Sequence, residues 1–149
     1  MFESLPDIPR LFTALAEWGA ALVYVFVVAR SASSNALNPN AAIPRWRLTV
    51  ATVGGLVVLT GAQELLGRAP LSLWVPGMMT AYALMWGVIR VGTALDWRWV
   101  THMSARAFIV AELAASLAWQ VVVYSHADKP FWHPVSFGGF AAIAAMCLA

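Results

Sequence analysis

The chain has 149 residues, 61% of them hydrophobic and only 11% charged, with a formal net charge of +2 and a mean hydropathy of +0.73. A water-soluble domain carries roughly 45–50% apolar and about 25% charged residues, and a chain this short has no interior large enough to hide the excess. The composition excludes an ordinary soluble domain and identifies lipid as the expected solvent. A single cysteine, Cys147, excludes an internal disulfide framework or a thiolate metal cluster.

The first ten residues carry Glu3, Asp7 and two prolines with only Arg10 positive, unlike the basic opening of a cleavable signal. They read as a helix entry, with Asp7 as N-cap and Pro9 in the first turn. Leu11 to Ala29 is the first apolar run and holds one charge, Glu17. Ser31 to Pro44, rich in Ser, Asn, Ala and Pro, has no helical apolar pattern and reads as a connection. The second run, Leu48 to Leu66, contains Gln63 and one charge, Glu64, and ends on the turn Arg68-Ala69-Pro70.

Leu71 to Ile89 follows without a charge. Arg90 to Arg106 is expected to be a loop, in which Asp96-Trp97-Arg98-Trp99 suits the headgroup level and His102 is solvated. Ala107 to Tyr124 is the fourth run, with one charge, Glu112. After Ser125 to Pro134, broken by two prolines, comes Pro134 to Ala149, whose sixteen residues make about 24 Å, short of a hydrocarbon core roughly 30 Å thick.

The expected fold is therefore all-α: a single-domain integral membrane helix bundle of four full transmembrane helices and a short or tilted fifth C-terminal segment. All nine basic residues fall between the apolar runs, as the cost of a cation inside lipid requires. Six of them, against three, collect on the side of the Arg30 to Arg47 and Arg90 to Arg106 connections. The positive-inside tendency then places the N-terminus outside and the C-terminus inside a membrane of bacterial cytoplasmic type.

Ionisable groups inside apolar runs are the main functional pointers in such a chain. With this orientation Glu17, Gln63, Glu64 and Gln120 fall in the outer half and Glu112 nearer the middle, so these five form a candidate intramembrane polar site. Two carboxylates in low dielectric do not both stay ionised, so such a layer can hold a cation or pass a proton. The structural alternatives are an i, i+4 pair of Glu64 with Arg68 at a helix end, and an interhelical hydrogen bond of Glu112 on a face shared with Ser116, Trp119 and Gln120. Small residues mark packing faces at Ala107, Ala111 and Ala115 and at Gly138 and Ala142. His126, Asp128 and His133 offer a weak metal set that matches no closed-site spacing.

No histidine lies inside an apolar run, and no phosphate loop, nucleophile elbow or zinc-protease motif occurs, so neither a cofactor nor catalysis is expected. Two short likenesses carry no site over. Lys129 to Pro134 is similar to a loop motif of the tryptophan-rich sensory proteins, where it follows the first helix instead of preceding the last. Glu17 resembles in placement the first-helix carboxylate of the small multidrug-resistance exporters, which are chains of four spans.

The sequence supports first a non-catalytic subunit or homo-oligomer of a membrane complex, in an accessory, immunity or exclusion, or pore-forming role. Its partners are the lipid bilayer and other membrane subunits, with no nucleic acid. The second reading is a small proton- or cation-coupled transporter or channel using the intramembrane carboxylates. A third is a membrane enzyme or metal-handling protein built on His126, Asp128 and His133.

Overall fold

The computed structural model describes residues 10–34, 43–68 and 70–125, and all of its regular structure there is helical. Four helices follow one another: α1 (Arg10–Ser34), α2 (Arg45–Leu66), α3 (Trp74–Thr93) and α4 (Trp97–Ser125). Two of them, over Arg10–Ala32 and Arg45–Leu66, are long and apolar enough to cross a membrane by length and composition. The expected fifth segment, 134–149, with Gly138 and Ala142, lies outside the described residues, as does the 126–133 segment.

Helix α1 is the central element and packs against α2, α3 and α4, while α3 also touches α2 and α4. Its residues are accordingly buried on more than one face: Phe12, Ala14, Ala16, Ala20, Ala21 and Val25 all lie inside. The core is built largely of alanine, with Ala81 from α3 and Ala107, Ala111, Ala114, Ala115 and Ala118 from α4. Side chains this small let helix backbones approach closely and leave the larger Leu59, Met85 and Ile89 to fill the remaining space.

Close approach is tightest at Gly92. A Cβ there would stand 2.7 Å from Val25 Cγ2 and 3.1 Å from Ala51 Cβ, so this glycine is the point where α1, α2 and α3 converge. In α2 one π turn, Val50–Gly54, interrupts the α-helix. Within it the Thr52 carbonyl accepts a 2.8 Å hydrogen bond from the Trp18 indole, which ties α1 to α2.

Two boundaries correct the sequence reading. Helix α3 starts at Trp74 and not Leu71, because Pro70 is followed by a 3₁₀ turn over Leu71–Leu73. The stretch from Arg90 to Arg106 is not a loop: α3 runs to Thr93 and α4 begins at Trp97. The turn between them rests on Ala94 in the left-handed region (φ 57°), whose N–H bonds the Arg90 carbonyl, while the Arg90 guanidinium holds the carbonyl of Leu95. Asp96 accepts from the Arg98 N–H and starts α4. The basic residues did not end the helix because Val100 and Ser104 continue the buried face of Ala107 and Ala111, leaving Arg98, His102 and Arg106 outward.

Helix α4 consequently has 29 residues, about 43 Å at the helical rise. Its first turns lie along the end of α3, where Trp86 Nε1 donates to Thr101 Oγ1 (3.1 Å), the Tyr82 hydroxyl donates to the Thr101 carbonyl (3.3 Å), and the Tyr82 and Phe108 rings meet edge to face.

Candidate functional site

Of the five polar side chains buried among the described residues, the two large ones are Glu17 at 0% exposure and Gln63 at 4%. Glu17 lies in the second turn of α1, on a buried face otherwise lined by Thr13, Ala14, Ala20 and Ala21. Gln63 comes from the last turn of α2 and donates its side-chain amide to Glu17 Oε1 at 2.8 Å. Because α1 and α2 run antiparallel and are fixed at Trp18 and Thr52, the start of one is level with the end of the other.

A third group reaches the same place from α4. The Glu112 carboxyl is within side-chain hydrogen-bonding range of Glu17. As carboxylates both groups only accept, and Glu17 Oε2 and Glu112 Oε1 are each buried without a donor. Buried polar atoms are nearly always paired in folded proteins.

Arg10 was not among the residues expected from sequence. Its side chain lies across Gly67 at the end of α2, so close that a Cβ there would stand 2.9 Å from Arg10 Cγ and 3.0 Å from Nε, and its charge is within electrostatic reach of Glu112. Spacing along α1 gives no sign of this, since Arg10 and Glu17 are seven residues apart and the reach is across the bundle to α4. The one available signal is Gly67, a residue without a side chain at the end of an apolar run.

Of the five residues of the expected polar site, the structure brings together Glu17 and Gln63 from the outer layer and Glu112, which was expected nearer the middle. Glu64 and Gln120 are exposed. Glu64 follows Gln63 directly and is turned about 100° from the buried face. Arg68 lies in the turn just past the end of α2 at Leu66 and is exposed like Glu64. Gln120 is eight residues from Glu112, two turns plus about 80°, on the side of α4 away from its alanine face.

Ala107, Ala111 and Ala115 are all buried within this bundle. No group of three potential metal ligands occurs among the described residues. His126, Asp128 and His133 lie outside them. No family model, no curated protein and no solved structure matches this chain.

Proposed function

We propose that the chain is a membrane-embedded helix bundle that handles protons or small cations at the Glu17, Gln63 and Glu112 cluster, as a small proton- or cation-coupled transporter or channel. The observation that carries this reading is the facing pair of carboxyl groups, each with a buried oxygen that lacks a donor, in the interior of an otherwise apolar bundle. A charged group costs several kcal/mol to place in such surroundings, which makes an intramembrane ionisable residue a functional site by default.

Lipid as the surrounding solvent is supported by the outside of the bundle. Val57 (66% exposed), Leu65 (72%), Met79 (62%) and Ile109 (66%), from three different helices, all face outward. Only 22% of the apolar window in Arg45–Leu66 is buried, whereas the core helix of a water-soluble protein is mostly buried. A monomer in water does not keep so extensive an apolar surface. The exposed Trp46, Trp97 and Trp99 beside Arg47 and Arg98 suit a headgroup level at one end. The proposed orientation has that end inside a bacterial-type cytoplasmic membrane, the N-terminus outside, and 134–149 as a short or tilted fifth segment.

The reading as a subunit working through its small-residue faces has less support, because Ala107, Ala111 and Ala115 are used within the bundle. The test is proton or cation flux into vesicles containing the purified full-length protein, followed with a pH-sensitive dye under an imposed membrane potential. Flux in the wild type that is lost in Glu17→Gln, with unchanged particle size, supports the proposal. A wild-type protein without flux that purifies with foreign chains returns the weight to the subunit reading.

A further inference from the structure

We infer that the cluster takes a single proton and excludes metal cations, and that Arg10 is the resident counter-charge that sets this selectivity; the inference rests on the carboxyl site proposed above and names its ion. The geometry is that of two orphaned, buried carboxylate oxygens and one guanidinium. Glu17 is wholly buried and bonded on one oxygen by the Gln63 amide, its other oxygen has no donor, and the Glu112 carboxyl is within side-chain hydrogen-bonding range. Arg10 lies over the bare backbone of Gly67 and brings its positive charge to Glu112 from the end of α1.

Charge balance decides the ligand. Glu17, Glu112 and Arg10 together carry one net negative charge, and in a low-dielectric interior one bound positive charge brings the cluster to neutrality. No other charge on the described helices balances the cluster. Helix α2 offers neutral Gln63 to the cluster and turns Glu64 outward, and Arg68 in the turn beyond it is exposed; Arg30 at the end of α1 and Arg45 and Arg47 at the start of α2 lie toward the opposite end; α3 has Arg90 as its one charged residue, at that opposite end too and engaged with Leu95; and α4 turns Arg98, His102 and Arg106 outward.

Ligand geometry then separates the proton from a metal ion. Metal cations such as Ca²⁺ are held by a shell of six to eight oxygens, and Mg²⁺ by an octahedral one. Here the two carboxyls offer one buried, donorless oxygen each, the Gln63 group turned to Glu17 is an N–H donor, and the Arg10 guanidinium offers only donors. A proton needs no more than two acceptors: it forms a covalent O–H on one carboxyl and a hydrogen bond to the other, and leaves to water by the reverse step with no change of oxidation state. Arg10 repels any second cation. Gly67 is the residue that makes this possible, because a side chain there would occupy the space of the Arg10 stem.

The experiment uses full-length protein reconstituted in phospholipid vesicles and reads the infrared carbonyl stretch of a protonated carboxyl while Na⁺ replaces choline at constant pH. The expected result is a band that disappears or shifts in Glu17→Gln and in Glu112→Gln, and that Na⁺ leaves unchanged in the wild type. In Arg10→Gln, and in Gly67→Leu, which displaces Arg10 without removing it, Na⁺ is expected to diminish the band; Arg10→Lys, which keeps the charge, is expected to behave as the wild type. Competition by Na⁺ in the wild type, or folded Arg10→Gln and Gly67→Leu proteins as indifferent to Na⁺ as the wild type, overturns the inference and leaves the broader proton or cation reading standing. A wild-type spectrum with no protonated-carboxyl band that responds to Glu17→Gln or Glu112→Gln at any pH overturns the carboxyl site itself.

Discussion

The Gln63 side chain donates to Glu17 Oε1 at 2.8 Å across 46 residues of sequence, and both groups are buried. This bond joins the start of α1 to the end of α2 and occupies one oxygen of a carboxylate whose other oxygen has no donor. It fixes Glu17 against α2, and its removal has an effect separable from removal of the charge.

Gln63→Leu is expected to destabilise the protein by about 1–3 kcal/mol, because it leaves a further buried carboxylate oxygen without a donor. Glu17→Gln keeps an acceptor for the Gln63 N–H and removes the charge, so its stability is expected to equal or exceed that of the wild type. Thermal unfolding of both variants in the same detergent, followed by circular dichroism, checks the pair of expectations. A Gln63→Leu protein as stable as the wild type contradicts the role given to this bond.

Ala111→Leu inserts three heavy atoms into the buried alanine face of α4. Overpacking of a tight core costs typically 1–3 kcal/mol, and more where neighbours cannot move. The variant is expected to lose folded yield without passing to a different oligomeric state, since the face is internal. Size-exclusion chromatography with light scattering checks this; a folded variant of smaller particle mass shows instead that the face joins subunits.

Glycines in this bundle are not equivalent. Gly92→Ala brings a Cβ to within 2.7 Å of Val25 and 3.1 Å of Ala51, whereas a Cβ at Gly61 or Gly87 meets nothing within 4 Å. Gly92→Ala is expected to lower the unfolding temperature, and Gly61→Ala and Gly87→Ala to raise it or leave it unchanged, because alanine favours a helix by about 1 kcal/mol over glycine. The three unfolding curves side by side provide the measurement.

The turn between α3 and α4 places Ala94 at φ 57°. An L residue in the left-handed region is disfavoured by roughly 1–2 kcal/mol, and glycine is the common choice just past a helix end. Ala94→Gly is expected to stabilise the protein by up to about 1 kcal/mol, allowing for the greater freedom of glycine in the unfolded chain. A variant less stable than the wild type argues against this turn geometry.

The proposed membrane crossing of α1 and α2 makes the two ends of the bundle accessible from opposite sides. With Cys147 changed to Ser, single cysteines at Ser31 and at Arg68 are expected to react with an impermeant maleimide from opposite faces of sealed vesicles, Ser31 from the side that corresponds to the cytoplasm. Labelling of both from one face rules out the crossing.

The apolar runs and the placement of every base between them were enough to read four helices in order, because helix formation and charge avoidance are local properties of a chain whose composition favours lipid. The same local reading marked Glu17 and Gln63 as unusual, since a polar group inside an apolar run needs no tertiary information to be noticed. It misjudged Arg90 to Arg106, where the arginines were taken as breaking a helix although Val100 and Ser104 kept its buried face in phase with Ala107. Which polar groups meet was decided only by tertiary packing. The rotation of α4 is set by its alanine face against α1, and that rotation brings Glu112 to Glu17 while turning Gln120 outward. Arg10 lies across Gly67, just past the end of α2, a contact between residues 57 positions apart. Contacts of this kind depend on the relative depth and rotation of separate helices, which no spacing within a single apolar run encodes.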